Sequence, residues 1–136
     1  MSLRSFIIST LLADPDISAL VEDRVYMEGS VMTAQGLRPF LMISLNANTD
    51  EQIFDDPDIE ARPTRQFFWV WVHDTRPSYL VVDQICNLVK NTFRVTSSSA
   101  DDSLMDVRFI DQSADSKDLV FDTGCRYMRF QAVMSK

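Results

Sequence analysis

Residues 65–93 read RQFFWVWVHDTRPSYLVVDQICNLVKNTF, and the fold turns on the change of period inside this stretch. Positions 67–72 are all aromatic or β-branched, so Phe67, Trp69 and Trp71 line one face of a strand and Phe68, Val70 and Val72 the other. Both faces are apolar. Beyond it, Val81, Ile85, Leu88 and Val89 recur at helical spacing, and Pro77 with Ser78 supplies the helix entry. The unit is a strand feeding a helix. That helix can cover one face of the strand, while the other face needs more of this chain or another copy of it. No residue of the stretch points to catalysis, and the residues alone read as a soluble α+β interaction domain.

Working outward towards the N-terminus, Leu3, Phe6, Ile7 and Leu11 fall on one side of a 3.6-residue period, which predicts an amphipathic helix. Asp14-Pro15-Asp16 stops it, and Asp16 is placed to cap a second short helical turn carrying Ile17, Leu20 and Val21. Arg24-Val25-Tyr26 is a short extended piece, and residues 29–36, with two of the three glycines, read as a surface loop. Phe40 to Leu45 is an apolar run broken only by Ser44, hence a strand. Between it and the central strand, residues 46–63 form a long charged loop, in which Asp50, Glu51, Asp55, Asp56, Asp58 and Glu60 crowd six carboxylates into eleven residues.

Towards the C-terminus, residues 95–103 are a polar connection. Met105, Val107 and Phe109 then alternate with Asp106 and Arg108 as a half-buried strand. In the closing strand Met128, Phe130, Ala132 and Met134 alternate with Tyr127, Arg129 and Gln131, giving one face to the core and one to solvent or a partner. The expected class is α+β, in the order α-β-β-α-β-β. Connections at 46–63 and 112–122 are compatible with hairpins, so the expectation is a mostly antiparallel sheet of about four strands with helices packed on one face. Residues 1–136 read as a single domain.

Composition narrows the function classes. A chain of 136 residues buries about 68–70% of the surface its unfolded form exposes. Thirteen Lys and Arg against twenty Asp and Glu leave a net charge of -7, which argues against a surface that grips nucleic acid phosphates. Acidic walls can still line a path along which DNA passes. Cys86 and Cys125 do not make a disulfide framework and read as reduced, buried thiols. The opening residues lack the pattern of a secretory signal, and no segment approaches the roughly 18 consecutive apolar residues of a membrane span, so a soluble, unexported chain is expected.

Candidate chemistry resolves mostly into ordinary structure. His73 beside Asp74 could be a general base and its orienter, but adjacent strand residues point to opposite faces and no nucleophile stands in a recognisable context. The acidic stretch lacks the spacing of a calcium loop, and Cys86, Cys125 and His73 lack the spacing and the fourth ligand of a zinc site. No metal, no cofactor and no enzymatic activity are expected. Phe67, Phe68, Trp69 and Trp71 could stack bases, but only Arg62, Arg65 and Arg76 flank them, short of the basic groove a single-strand binder needs. Core and subunit interface account for them better, together with Tyr127 and Arg129 of the closing strand.

Four stretches carry a resemblance: the opening helix followed by DPDISALVEDRVY (14–26), LRPFLMIS (37–44), the strand-helix unit 65–93, and RYMRFQAV (126–133). Together they resemble the tail terminator, or tail completion, proteins of long-tailed bacteriophages, over nearly the whole chain. The resemblance implies a structural virion protein that forms a ring, typically hexameric. Such a ring caps the finished tail tube, halts its polymerisation and docks to the head connector. Its implied partners are copies of itself, the tail tube protein and the connector, with DNA passing through without specific binding and no membrane involved. Its implied location is the tail or neck of the virion, after assembly in the host cytoplasm. Within such a ring the acidic residues Asp50, Glu51, Asp55, Asp56, Asp58 and Glu60 would line the lumen, dock outward to an adjacent ring or the head connector, or form only a solvated surface. Other readings are another phage neck or tube ring protein, or a small cytosolic dimeric binding domain.

Overall fold

A computed structural model describes residues 3–27, 39–45, 51–52, 64–76, 78–95, 104–119 and 121–134. In chain order its elements are α1 (Leu3–Ala13), α2 (Pro15–Val21), β1 (Val25–Met27), β2 (Phe40–Leu45), β3 (Glu51–Gln52), β4 (Thr64–Asp74), α3 (Leu80–Val95), β5 (Leu104–Gln112), β6 (Ser116–Asp118) and β7 (Thr123–Met134). Seven strands make one sheet in the order β1-β2-β4-β7-β5, with β3 added to β4 and β6 added to β7. Every pair is antiparallel except β1 with β2.

The expectation of about four strands in the order α-β-β-α-β-β is therefore corrected to seven strands and three helices among the described residues. The four long strands are where the sequence puts them. The three others hold two or three residues each, too few to show a period, and they form where a long neighbour offers backbone groups that need partners. Two of them fall inside expected connections: Glu51–Gln52 pairs with Thr64 and Arg65 within the acidic loop, and Ser116–Asp118 pairs with the start of β7 within 112–122. The alternation expected of β5 holds only in its middle, because register shifts at Leu104/Asp106 and Phe109/Asp111 leave Met105 and Ile110 as extra residues. The expected loop at 29–36, the remainder of 46–63 and the connection 96–103 lie outside the described residues.

Three helices cover one face of the sheet. Leu3, Phe6, Ile7 and Leu11 of α1, Ile17 and Val21 of α2, and Val82, Ile85, Cys86, Val89 and Phe93 of α3 share a core with Leu41 and Ile43 of β2, Phe68, Val70 and Val72 of β4, and Met128, Phe130 and Ala132 of β7. At its centre the Phe68 and Phe130 rings stack with centroids 5.2 Å apart, and Phe93 meets Phe68 edge-on at 5.4 Å. The cap of α2 is Asp14 and not Asp16. Pro15 occupies the first helical position and has no N–H, so the residue before it caps, with Asp14 Oδ1 accepting from the backbone N–H groups of Asp16 and Ile17 at 2.9 and 3.1 Å. No helix among the described residues is long and apolar enough to cross a membrane.

Candidate functional site: the open face of the sheet

The strand period decides what the other face carries. With Phe68, Val70 and Val72 turned to the helices, Phe67, Trp69, Trp71 and His73 stand on the side that no helix covers among the described residues. Antiparallel pairing with β7 sets Tyr127 opposite Trp71, Arg129 opposite Trp69 and Gln131 opposite Phe67, while β2 sets Met42 opposite Trp71 and Phe40 opposite His73. Several of these side chains meet across the strands. Trp71 and Tyr127 have ring centroids 5.0 Å apart, and the Arg129 guanidinium lies 5.5 Å from the centre of the Phe67 ring. Arg129 Nη2 also donates to Asp111 Oδ2 at 2.8 Å, which holds the guanidinium flat across the strands.

Phe67, Trp69, Trp71, Tyr127 and Arg129 are all half-buried. Each has lost part of its contact with water, and no described helix covers it. Five residues read from the sequence as core or interface thus come together on one surface. The sixth, Phe68, points the other way and is fully buried in the helix-covered core.

One end of this face is closed by the chain itself. Phe40 stacks on His73 with centroids 4.6 Å apart and planes 3° from parallel, and Phe121 meets Phe40 and His73 edge-on at 5.5 and 5.7 Å. His73 Nδ1 lies 2.8 Å from Thr123 Oγ1, and burial pushes the imidazole pKa below its ordinary value. Asp74 points to the opposite face, where its carboxylate is buried with Arg76 Nε at 3.6 Å, so the neighbouring His and Asp do not converge. Sequence reasoning missed this small second core of Phe40, Met42 and Phe121. Its one signal was an aromatic residue, Phe121, in a polar turn.

The cysteines are buried free thiols, and burial pushes Cys86 up to about 11. Of the acidic residues assigned to a lumen or docking loop, Glu51 lies in β3 opposite Arg65, while Asp50, Asp55, Asp56, Asp58 and Glu60 fall outside the described residues.

A sheet of this topology with helices on one side has a counterpart among solved structures. A chain from the virion of a native gene transfer agent (GTA) particle superposes with a TM-score of 0.72 over 99% of this chain and 96% of that one, at 16% identity. The two share a fold. No protein-family model matches the chain, and no curated protein matches it significantly. At so low an identity the likeness passes through architecture and not through particular side chains.

Proposed function

We propose that this protein is a structural component of a phage-like virion, a ring protein of the tail terminator kind. In this reading copies of the chain assemble side by side into a hexameric ring that caps the tail tube, ends its polymerisation and joins it to the head connector. The protein does no catalysis and binds no cofactor. The observation that carries the reading is the face of β4 and β7 that no described helix covers, where Trp69, Trp71, Tyr127 and Arg129 lie half-buried side by side. Aromatic residues and Arg are those most enriched at the centre of protein interfaces, and a contiguous apolar patch of this kind marks a contact surface. The fold shared with a chain of the GTA virion supports it, since that similarity spans nearly all of both chains. The net charge of -7 suits a ring through which DNA slides without adhering.

Light scattering of the purified protein over a range of concentrations, followed by negative-stain imaging, tests the reading. A species of ring mass with a central hole is the expected result. A monomer or dimer at every concentration would sink it.

A further inference from the structure

A second surface lies away from the aromatic face. Between the C-terminal half of α3 and the first half of β5 runs a groove of about 460 Å³, lined by Lys90, Arg94, Arg108 and the exposed ring of Phe109, with the buried Phe93 and Phe130 beneath it. In a chain of net charge -7, three cations and one carboxylate, Asp106, meet here. Lys90 donates to the amide oxygen of Gln112 at 3.1 Å and stands 5.3 Å over the Phe109 ring, and Arg94 donates to the amide oxygen of Asn91 at 2.8 Å. Neither is in an ion pair among the described residues. Arg108 pairs with Asp106 at 3.0 Å, yet its side chain is 73% exposed. Phe109 and Ile110 are exposed at the same edge. The two register shifts in β5 break its outer edge, so the surface is built to take side chains and not an added strand.

The complement of this groove is in the same sequence. Residues 50–60, DEQIFDDPDIE, hold six of the twenty acidic residues and none of the thirteen basic ones, with Ile53, Phe54 and Ile59 among them. Gln52 pairs with Thr64, so both ends of the segment between them are fixed on the side of β4 that bears β2 and β3. The groove belongs to β5, on the far side of β7. Two complementary surfaces on opposite sides of one sheet make a head-to-tail contact, and such a contact closes into a ring when its rotation divides a full turn.

We propose that the groove receives the acidic segment 53–60 of a neighbouring copy, its apolar side chains against Phe109 and its carboxylates against Lys90, Arg94 and Arg108. The inference rests on the ring reading above and assigns that ring a second subunit contact. It places the segment at a joint between copies, in contrast to a lumen lining. Exposed ion pairs are individually weak, so Phe109 anchors the contact and the charges set its register.

Charge reversal in the full-length protein tests it, read by sedimentation velocity and light scattering. Lys90→Glu combined with Arg108→Glu is expected to weaken association about tenfold or more, as is Asp55→Lys combined with Asp56→Lys. All four together are expected to recover most of the loss, and association of the wild type is expected to weaken with rising salt. Both pairs sit on charged residues, and unchanged thermal melts confirm that the variants fold. For contact between copies, Arg108→Cys protein mixed with Asp56→Cys protein is expected to crosslink through a short bismaleimide. A crosslink that forms only within one chain, in the doubly substituted protein, places the segment in its own groove and overturns the proposal. Association untouched by the groove variants, or lost in both pairs without recovery in the combination, overturns it too. If the wild type is monomeric throughout, the ring reading itself fails. If it forms rings that ignore these charges, only the present inference does.

Discussion

Trp71 and Tyr127 face each other across the β4–β7 pair with ring centroids 5.0 Å apart, on the side of the sheet that no described helix covers. Neither ring is fully buried, in contrast to Phe68, three positions before Trp71 and on the helix side. Truncations on the two faces should therefore separate folding from assembly. Trp71→Ala is expected to cost the monomer about 1–2 kcal/mol, less than the full cost of a buried aromatic, and to abolish association. Phe68→Ala is expected to cost about 3–5 kcal/mol and to lower the melting temperature directly. Equal destabilisation by the two, with assembly intact in Trp71→Ala, would remove the open face from the account.

Asp14 ties the helical layer together. One carboxylate oxygen caps α2, and the other lies 2.6 Å from Thr92 Oγ1 on α3. The Thr92 hydrogen bond, with the cap bonds, holds the Asp14 pKa below the ordinary carboxylate value. The folded state thus favours the ionised form, so this contribution is present at neutral pH and disappears as pH falls below about 4 and through the lowered folded value. Asp14→Ala is expected to cost about 1–2 kcal/mol at pH 7 and little in strong acid. A cost that does not change between those conditions would contradict the assignment.

His73 works in the opposite direction. Its burial between Phe40 and Phe121 lowers its pKa, with Asp118 opposing the shift, so the folded state favours the neutral ring. Below about pH 6.5 the unfolded chain takes up a proton that the folded chain resists, and stability falls with pH until the folded value is reached. Melting temperatures measured between pH 7 and 5 should decline in the wild type and decline less in His73→Phe. Parallel slopes in the two proteins would show that His73 is not the group responsible.

The closing strand is structural throughout. β7 pairs with β4 along its length and with β5 and β6 on its other edge, and it contributes Met128, Phe130 and Ala132 to the core. A chain ending at Gly124 would leave both neighbours with unpaired backbone and open the core to water, so it is expected to be insoluble or unfolded. A soluble, cooperatively melting truncated protein would refute this.

Much of the fold was legible because the long elements carry their own period. The alternation in β4 and β7 and the 3.6-residue spacing in α1 and α3 assign faces before any contact is known, and Phe68, Val70, Ile85, Val89 and Phe130 are buried where those periods put them. The same alternation gathered Phe67, Trp69, Trp71, Tyr127 and Arg129 as candidate interface residues. Tertiary structure alone decided three other things. Short strands β1, β3 and β6 exist because long neighbours offer unpaired edges, a cause that lies outside their own residues. Phe121 closes one end of the open face because the turn before β7 brings it against Phe40 and His73, residues far away in sequence. The groove of Lys90, Arg94 and Arg108 arises because α3 crosses β5, which collects cations from two separated segments into one field. Periodicity is a local property and is written in the sequence. Edges, closures and charge clusters depend on which segments meet, and only the assembled sheet sets that.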